Sequence, residues 1–284
     1  MSGTASSGMA EEIQAALAAV VPVAGAPVPL GQGDFCRAWL VDGRWVVRVA
    51  RHARASAALA REVAVLPGLA PHLDLAIPCP FALRPSSRGL FMAAHALIPG
   101  EPLLPGACAA MAPAQRAAAA QGLARFLGQL ARAPRQGVEG FDPRAYYAEQ
   151  RPAIEARVFP LLSAATQASC VAALVTAPPD ARRGLVHNDL SPDHVLYDPG
   201  TGALTGVIDF GDLAFSEPDL DLRFLYEDYG PAFAREVLAG EPPERLQRAR
   251  MFSIWDTLVW ILDHLGRDED LAGAIRQLAA QAEQ

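Results

Sequence analysis

The chain of 284 residues carries a formal charge of −7, with 51% hydrophobic and 19% charged residues. This composition is typical of a globular protein and excludes a disordered chain. No stripe of basic residues is present, so we expect no nucleic-acid partner. All 24 basic residues are arginine. Any step that usually depends on lysine must therefore use another residue here.

The four cysteines lie far apart in the sequence and form neither a metal knuckle nor a local redox pair: Cys36, Cys79, Cys108 and Cys170. We therefore expect a reduced, cytoplasmic protein. The N-terminus lacks a basic start followed by an apolar run, so no signal peptide is predicted. Prolines interrupt the early apolar stretch, so we expect no membrane partner.

The first third of the chain predicts a small sheet preceded by a helix. In chain order the patterns indicate a disordered tail, an amphipathic helix, a glycine-bearing turn and two strands of a hairpin: residues 1–8, 10–21, 30–36, 37–41 and 45–49. A helix over 54–66 and two further strands over 77–83 and 89–96 complete this part. A proline-rich segment at 98–102 then breaks the pattern.

The remaining two thirds are predicted to be mainly helical, over 113–133, 143–173 and from 231 onward. Short strands around polar loops are predicted between 184 and 210. The fold class is therefore α+β with two lobes. A small antiparallel sheet lobe would take residues 1–97, and a larger helical lobe would take residues 98–284.

The strongest chemical signal is a pair of aspartates on one predicted hairpin. Asp189 lies in the loop before its first strand, and Asp209 ends its second strand. Phosphoryl transfer needs one carboxylate to accept the proton of the attacking hydroxyl and another to hold a metal ion. Asp209-Phe210-Gly211 also matches the metal-binding motif of kinases. The alternative is a plain hairpin with a solvated loop.

Four segments resemble the aminoglycoside phosphotransferases, especially their 2''-phosphotransferase branch: His187-Asn188-Asp189-Leu190, Asp193-His194-Val195-Leu196, Ile208-Asp209-Phe210-Gly211-Asp212 and Pro218-Asp219-Leu220-Asp221-Leu222. The resemblance runs from about residue 25 to 265 and is strong in the second lobe and loose in the first. It implies a protein-kinase-like fold. It also implies a small-molecule kinase that transfers the γ-phosphoryl of ATP or GTP to a hydroxyl of an aminoglycoside-like antibiotic.

The resemblance implies that Asp189 is the catalytic base and that Asp209 is the main magnesium ligand. His194 stands where many kinases have an asparagine, and it would be the second metal ligand. A core position for His194 is the alternative. The resemblance makes His187 a structural residue of the loop, and Asp221 a brace for it.

The resemblance places the nucleotide in the first lobe. Gly31 and Gly33 would cover the phosphates, and the backbone of the hinge, His95, Ala96 and Leu97, would contact the base. Arg48 stands where this family has a phosphate-binding lysine, and it would pair with Glu62. A guanidinium is bulkier than an ammonium and is not equivalent to it. The alternative is that Arg48 and Glu62 are both surface charges.

The family's acceptor pocket is lined by carboxylates of the C-terminal helices, and the matching candidates here are Glu227, Asp228, Asp256 and Asp263. Each of them can equally be a solvated helix charge. Trp255 and Trp260 are expected to pack in the core rather than stack on a sugar. We expect a monomer.

Two other functions stay open at the level of sequence. One is a macrolide kinase, or a metabolic kinase for choline, homoserine or a sugar, with the same fold. The other is a non-catalytic nucleotide-binding protein, and Arg48 is the only sequence feature in its favour. The acceptor itself depends on the shape of the pocket, which the motifs do not encode.

Overall fold

The computed structural model describes residues 3–267 and 271–282. These residues form two compact units. The first takes the chain up to residue 101, together with 196–198 and 205–211. The second takes 102–195, 199–204 and the chain from 212 onward. The segment that contains Asp209 thus returns to the first unit after the chain has entered the second.

A five-stranded antiparallel sheet forms the centre of the first unit, as predicted, in the order β1-β2-β3-β5-β4. Its strands are β1 (Val28–Gln32), β2 (Cys36–Val41), β3 (Trp45–Ala50), β4 (Phe81–Leu83) and β5 (Met92–Ala96). Asp42 and Gly43, which join β2 to β3, have φ angles of 55° and 62°. Positive φ at both positions is the geometry of a tight hairpin turn. β4 begins later than predicted because Pro78 and Pro80 cannot donate to a sheet.

Helices α1 (Gly3–Ala18) and α2 (Ala53–Leu69) complete the first unit. Ile13 and Leu17 of α1 are fully buried in a core cluster with Trp39, Val47 and Met92 of the sheet. The prediction of a disordered tail over 1–8 is therefore corrected from Gly3 onward. Packing of one face anchors the helix, and no proline stops it from extending toward the N-terminus.

Short strands surround the polar loops between residues 184 and 216. β6 (Glu101–Pro102), β8 (Val195–Tyr197) and β9 (Leu204–Val207) form one sheet in the order β6-β8-β9, and β7 (Gly184–Val186) pairs with β10 (Ala214–Ser216). Within the first unit, Val207 N–H donates to the carbonyl of Ala76 at 2.9 Å. A Cβ on Gly206 would lie 2.6 Å from the same oxygen. Glycine therefore permits the close approach that fixes the chain just before Asp209.

The second unit consists mainly of helices: α3 (Pro105–Ala110), α4 (Pro113–Arg132), α5 (Pro143–Arg157), α6 (Ala164–Thr176), α7 (Leu222–Asp228), α8 (Gly230–Val237), α9 (Pro243–His264) and α10 (Leu271–Ala282). The helical stretch predicted over 143–173 consists of two separate helices, α5 and α6. A short 3-10 turn at Phe159–Leu161 divides them, and Ser163 caps α6 by accepting from Thr166 N–H at 3.1 Å. Among the described residues no helix combines the length and the apolarity needed to cross a membrane.

The core of the second unit lies around α9. Trp255 is fully buried, and its ring centroid lies 6.1 Å from that of Tyr147 on α5. Trp260 keeps 38% of its surface exposed and stacks on His264 with a centroid separation of 4.1 Å. Trp255 therefore packs in the core as expected, whereas Trp260 lies at the surface.

Candidate active site

Arg48 of β3 lies between two carboxylates of the first unit. Its Nη1 donates to Glu62 Oε2 of α2 at 2.5 Å, and its Nη2 donates to Asp209 Oδ1 at 3.1 Å. The Glu62 side chain is 4% exposed and that of Arg48 15%, whereas that of Asp209 is 45% exposed. The structure thus brings together three residues that are far apart in sequence and leaves the Asp209 carboxylate partly open to solvent.

The electrostatics of this cluster keep Arg48 charged. Burial alone would lower the pKa of Arg48, but the carboxylates of Glu62 and Asp209 outweigh that effect and raise the pKa. Asp209 has a φ angle of 63°, a left-handed conformation that is rare outside glycine. Such conformations cluster at functional sites, where surrounding contacts maintain them. A Cβ on Gly211 would lie 3.6 Å from Asp209 Oδ1 and 3.8 Å from Glu62 Oε1, in ordinary contact.

The glycine-bearing segment of the first unit is exposed. Gly31 lies near the end of β1 and Gly33 just after it, where Gly33 N–H donates to the carbonyl of Cys36 at 3.0 Å. A Cβ at either glycine would meet nothing within 4 Å. Neither glycine has a positive φ. Neither internal packing nor backbone strain therefore requires glycine at these two positions.

The predicted hinge residues lie at the end of β5, with His95 and Ala96 in the strand and Leu97 directly after it. His95 is buried, and its Nδ1 lies 2.9 Å from the carbonyl oxygen of Ala96. Burial lowers the pKa of His95, so the ring is neutral at physiological pH. Leu97 N–H donates to the carbonyl of Arg44 at 2.7 Å. That N–H group is therefore already used, and a base would have to contact other backbone groups of the segment.

A buried aspartate organises the loop of the second unit that carries Asp189. Asp221 accepts from the backbone N–H of His187 and of Asn188, each at 2.7 Å. Asn188 has a φ of 66°, so the chain turns sharply directly before Asp189. Burial raises the pKa of Asp221 to about 6, although the two N–H donors act in the opposite direction. At neutral pH Asp221 is therefore a charged acceptor that holds the loop, as the resemblance implies.

The two histidines of this loop have different positions. His187 is fully buried, and its Nδ1 accepts from Asp189 N–H at 3.3 Å, which agrees with a structural role. His194 is half-buried, and its Nδ1 lies 2.7 Å from the carbonyl oxygen of Asp189 and 3.2 Å from Ser191 Oγ. The Nδ1 atom of His194 is therefore engaged within the loop of Asp189.

Arg223 is a site residue that sequence analysis missed. It is 5% exposed, and its Nη2 donates to the carbonyl of Asn188 at 2.7 Å. Its Nε lies 3.3 Å from Asp256 Oδ2. Arg223 therefore links the loop of Asp189 to the predicted acceptor-binding carboxylate Asp256. Its position in the apolar run Leu222–Tyr226, directly after Asp221, is the signal that could have found it.

Two of the predicted acceptor-binding carboxylates, Asp256 and Asp228, act electrostatically on a third, Glu227. Burial and the charges of Asp256 and Asp228 raise the pKa of Glu227 to about 8. Burial also raises the pKa of Asp228 to about 6. Glu227 lies 3.5 Å from Thr257 Oγ1. Asp263 is exposed on α9, and after burial its charge and that of Asp256 contribute to the raised pKa of Tyr146. The group of Glu227, Asp228 and Asp256 favours a cationic ligand.

The donor set fits magnesium that is held jointly with phosphates. Within residues 3–267 and 271–282, no three His, Cys, Asp or Glu side chains gather to hold a metal ion alone. Mg²⁺ is usually bound by one or two carboxylates together with substrate phosphates, and the exposed carboxylate of Asp209 suits that role. An imidazole is a poorer ligand for this ion, so His194 fits less well.

The first unit has a buried arginine–glutamate pair next to the aspartate of an Asp-Phe-Gly motif. The second unit has a His-x-Asp loop that a buried aspartate holds. Together these features are those of a phosphotransferase of the kinase-like class. The family model described as "Phosphotransferase enzyme family" matches residues 27–252, which is most of the chain. The chain belongs to this family.

Relatives within the family include enzymes that act on antibiotics. A segment of 73 residues is 36% identical to the aminoglycoside 3'-phosphotransferase of Streptomyces fradiae. That match covers 23% of this chain and 27% of the relative, so it spans about a quarter of the relative's length.

Solved structures match over nearly the whole chain. The GDP complex of wild-type aminoglycoside 2'-phosphotransferase-IIIa is 27% identical, with a TM-score of 0.84 over 96% of this chain and 97% of that one. The GDP and kanamycin complex of APH(2")-IIia is also 27% identical, with a TM-score of 0.83 and the same coverage. Macrolide 2'-phosphotransferase MphH from Brachybacterium faecium is 24% identical, with a TM-score of 0.67 over 95% and 96% of the two chains. This last likeness shows the fold alone.

Proposed function

We propose that this protein is a small-molecule kinase that transfers the γ-phosphoryl of ATP or GTP to a hydroxyl of an aminoglycoside-like acceptor. The observation that carries this proposal is the loop His187-Asn188-Asp189, which buried Asp221 holds through two backbone hydrogen bonds. Similarity to the GDP and kanamycin complex over 96% of the chain supports the substrate class.

Asp189 is the proposed base. Its side chain is 39% exposed and therefore accessible to an acceptor hydroxyl. A carboxylate held in a fixed loop can orient that hydroxyl and accept its proton as the phosphoryl group is transferred. His194 Nδ1 lies 3.5 Å from Asp189 Oδ2, and a proton on this nitrogen would help to keep the carboxylate charged and in place.

The first unit is proposed to bind the nucleotide. The proposed division of the chain is a nucleotide-binding lobe of residues 1–97 and a catalytic and acceptor-binding lobe of residues 98–284. Glycines that no internal contact requires, Gly31 and Gly33, allow phosphates to approach the backbone closely. Arg48 would contribute a permanent positive charge to the phosphates while it holds Glu62. The backbone of His95 to Leu97, apart from the N–H that Leu97 already uses, would contact the base.

Magnesium, held by Asp209 with His194 as a possible second ligand, would neutralise charge on the phosphates. Asp209 is suited to this because its carboxylate is the most exposed member of its cluster. Arg48 contacts Oδ1 of that carboxylate and thereby fixes its direction.

The acceptor is proposed to be cationic. The charges of Asp256 and Asp228 add to burial in raising the pKa of Glu227, and ammonium groups would relieve this repulsion. Asp263 is exposed on the same helix as Asp256 and would contribute at the edge. From composition and sequence we further propose a cytoplasmic monomer without a nucleic-acid or membrane partner.

Nucleotide consumption by the purified protein with magnesium tests this proposal, with aminoglycosides, macrolides, choline and homoserine as acceptors. Kanamycin-dependent consumption of ATP or GTP that Asp189→Ala abolishes is the expected result. Consumption that depends on a macrolide or on choline would keep the chemistry and replace the substrate class. Nucleotide binding without turnover for any acceptor would favour a non-catalytic protein.

A further inference from the structure

A pocket in the second unit has no part in the site described above. It has a volume of about 500 Å³ and lies between α4, the segment before β7, the turn before α7 and the start of α9. Four arginines line it, with one glutamate: Arg132, Arg182, Arg183, Arg245 and Glu241. Its size is within the range of small-molecule sites. Such a concentration of cations is unexpected in a chain with a net charge of −7.

Buried carboxylates behind the pocket hold two of these arginines in place. Arg182 donates to Asp180 Oδ2 from Nε at 3.0 Å and from Nη2 at 2.7 Å. Arg245 Nη2 lies 2.7 Å from Asp219 Oδ1 and its Nη1 lies 3.0 Å from Glu241 Oε2. Asp180 and Asp219 are buried, and the Arg245 side chain is 15% exposed, whereas that of Arg182 is 57% exposed. Arg245 is therefore held firmly, and Arg182 is oriented by its carboxylate but stays open to solvent.

The other two arginines have weaker pairing with carboxylates. Arg183 Nη1 donates to the carbonyls of Asp180 at 2.6 Å and Arg182 at 3.0 Å, whereas its Nη2 is 4.0 Å from Glu217 Oε1. Arg132 takes part in none of the ion pairs of the pocket, among the residues that the structure describes. A Cβ on Gly128 would lie 3.3 Å from Arg132 Nη1. Glycine at that position lets the guanidinium lie against α4 at the wall of the pocket.

The charges of the cluster do not balance. Arg144 and Arg248 share the buried carboxylates with three of the four lining arginines, Arg182, Arg183 and Arg245. The group therefore has six guanidinium groups against four carboxylates, those of Asp180, Glu217, Asp219 and Glu241. Two positive charges are in excess, which matches the two arginines with the weakest pairing.

We propose that this pocket binds a phosphoryl-bearing anion, through Arg132 and Arg183 as the main contacts. A guanidinium group donates two parallel hydrogen bonds to the oxygens of a phosphate, so arginine is well suited to such an anion. The ligand would be inorganic pyrophosphate or a small phosphate ester. The site differs from the nucleotide site, which lies in the other unit and depends on Arg48.

The test is isothermal titration calorimetry of the full chain at constant ionic strength and without magnesium, in one arm with pyrophosphate and in another with glucose 6-phosphate. The double variant Arg132→Gln/Arg183→Gln should bind at least about tenfold more weakly than the wild type. Arg125→Gln, on an exposed position of the same helix α4, is the matched control and should bind like the wild type. Arg48→Ala, measured at a temperature at which circular dichroism shows it to be folded, should also bind like the wild type, because it alters only the other unit.

Arg132→Gln alone breaks no ion pair of the pocket, so it serves as a second variant if the double variant is misfolded by circular dichroism. It should weaken binding at least about threefold. Binding of either ligand that the Arg132 variants weaken and the control variants leave unchanged supports the proposal. The ligand that binds more tightly identifies the source of the phosphate. Absence of binding in both arms would overturn it, as would binding that Arg48→Ala removes and the double variant retains.

Discussion

The two aspartates central to the proposed chemistry are held in different ways. Asp189 lies in a loop that the buried Asp221 and Arg223 fix through the backbone of residues 187 and 188. Asp209 is held through its own side chain, one oxygen of which accepts from Arg48 Nη2. The comparison teaches that the proposed base is positioned through the backbone of its loop, whereas the proposed metal ligand is positioned through its carboxylate.

Among substitutions at these contacts, we expect Asp209→Asn to lower turnover the most. The amide keeps the shape of the side chain but loses the negative charge that suits magnesium. Turnover should fall by about 10³-fold, since a bound metal ion contributes several kcal/mol of charge stabilisation. Turnover measured against magnesium concentration checks this prediction. A variant that still reaches the wild-type rate at high magnesium would show that Asp209 tunes affinity but is not essential.

Asp221→Asn tests the brace of the base. One oxygen that accepts a backbone N–H becomes an NH₂ group facing another donor, so a buried N–H loses its partner. We expect turnover to fall by about 10- to 100-fold and the free energy of unfolding to fall by about 1–3 kcal/mol. Urea denaturation and steady-state kinetics measure the two effects. Glu149→Gln, an exposed carboxylate of α5, is the control and should change neither.

Arg48→Lys tests whether nucleotide binding depends on the two-pronged guanidinium group of Arg48. A single ammonium does not reproduce the two contacts, of 2.5 Å to Glu62 and 3.1 Å to Asp209. The nucleotide KM should change by about threefold to tenfold, with a small change in kcat. Arg48→Ala should instead destabilise the protein by about 3 kcal/mol, because it removes the cation that is paired with the buried Glu62 carboxylate. Arg44→Lys, on the exposed hairpin, is the matched control. If Arg48→Lys behaved like the wild type, the fork would have no role in nucleotide binding.

The smallest effect concerns pH and Glu227. Its pKa is raised to about 8, so the side chain is neutral below that pH and gains a negative charge above it. Affinity for a cationic acceptor should therefore increase severalfold between about pH 7 and 9 relative to Glu227→Gln. The ratio of the two proteins' acceptor affinities at each pH cancels the titration of the acceptor's own amines. If acceptor affinity changed with pH in the same way for both proteins, the acceptor would lie away from Glu227.

The sequence predicted the sheet of the first unit and the segments that carry Asp189 and Asp209, because hairpin turns and kinase motifs are local patterns. It did not predict Arg223, since the partners that connect this buried arginine to the site lie 35 residues upstream and on another helix. It also missed the break between α5 and α6, where a 3-10 turn and a serine cap separate two helical patterns. Contacts between distant segments decide such features, and no periodicity records them.

The most direct test of the central claim is the acceptor-dependent phosphorylation of kanamycin by wild type and Asp189→Asn, followed by mass spectrometry at saturating nucleotide and magnesium. The account predicts a product with one added phosphoryl group for the wild type. For the variant it predicts a rate about 10²- to 10⁴-fold lower with unchanged nucleotide affinity, because only the proton acceptor is lost. A variant that phosphorylates kanamycin at the wild-type rate would contradict the assignment of Asp189 as the base.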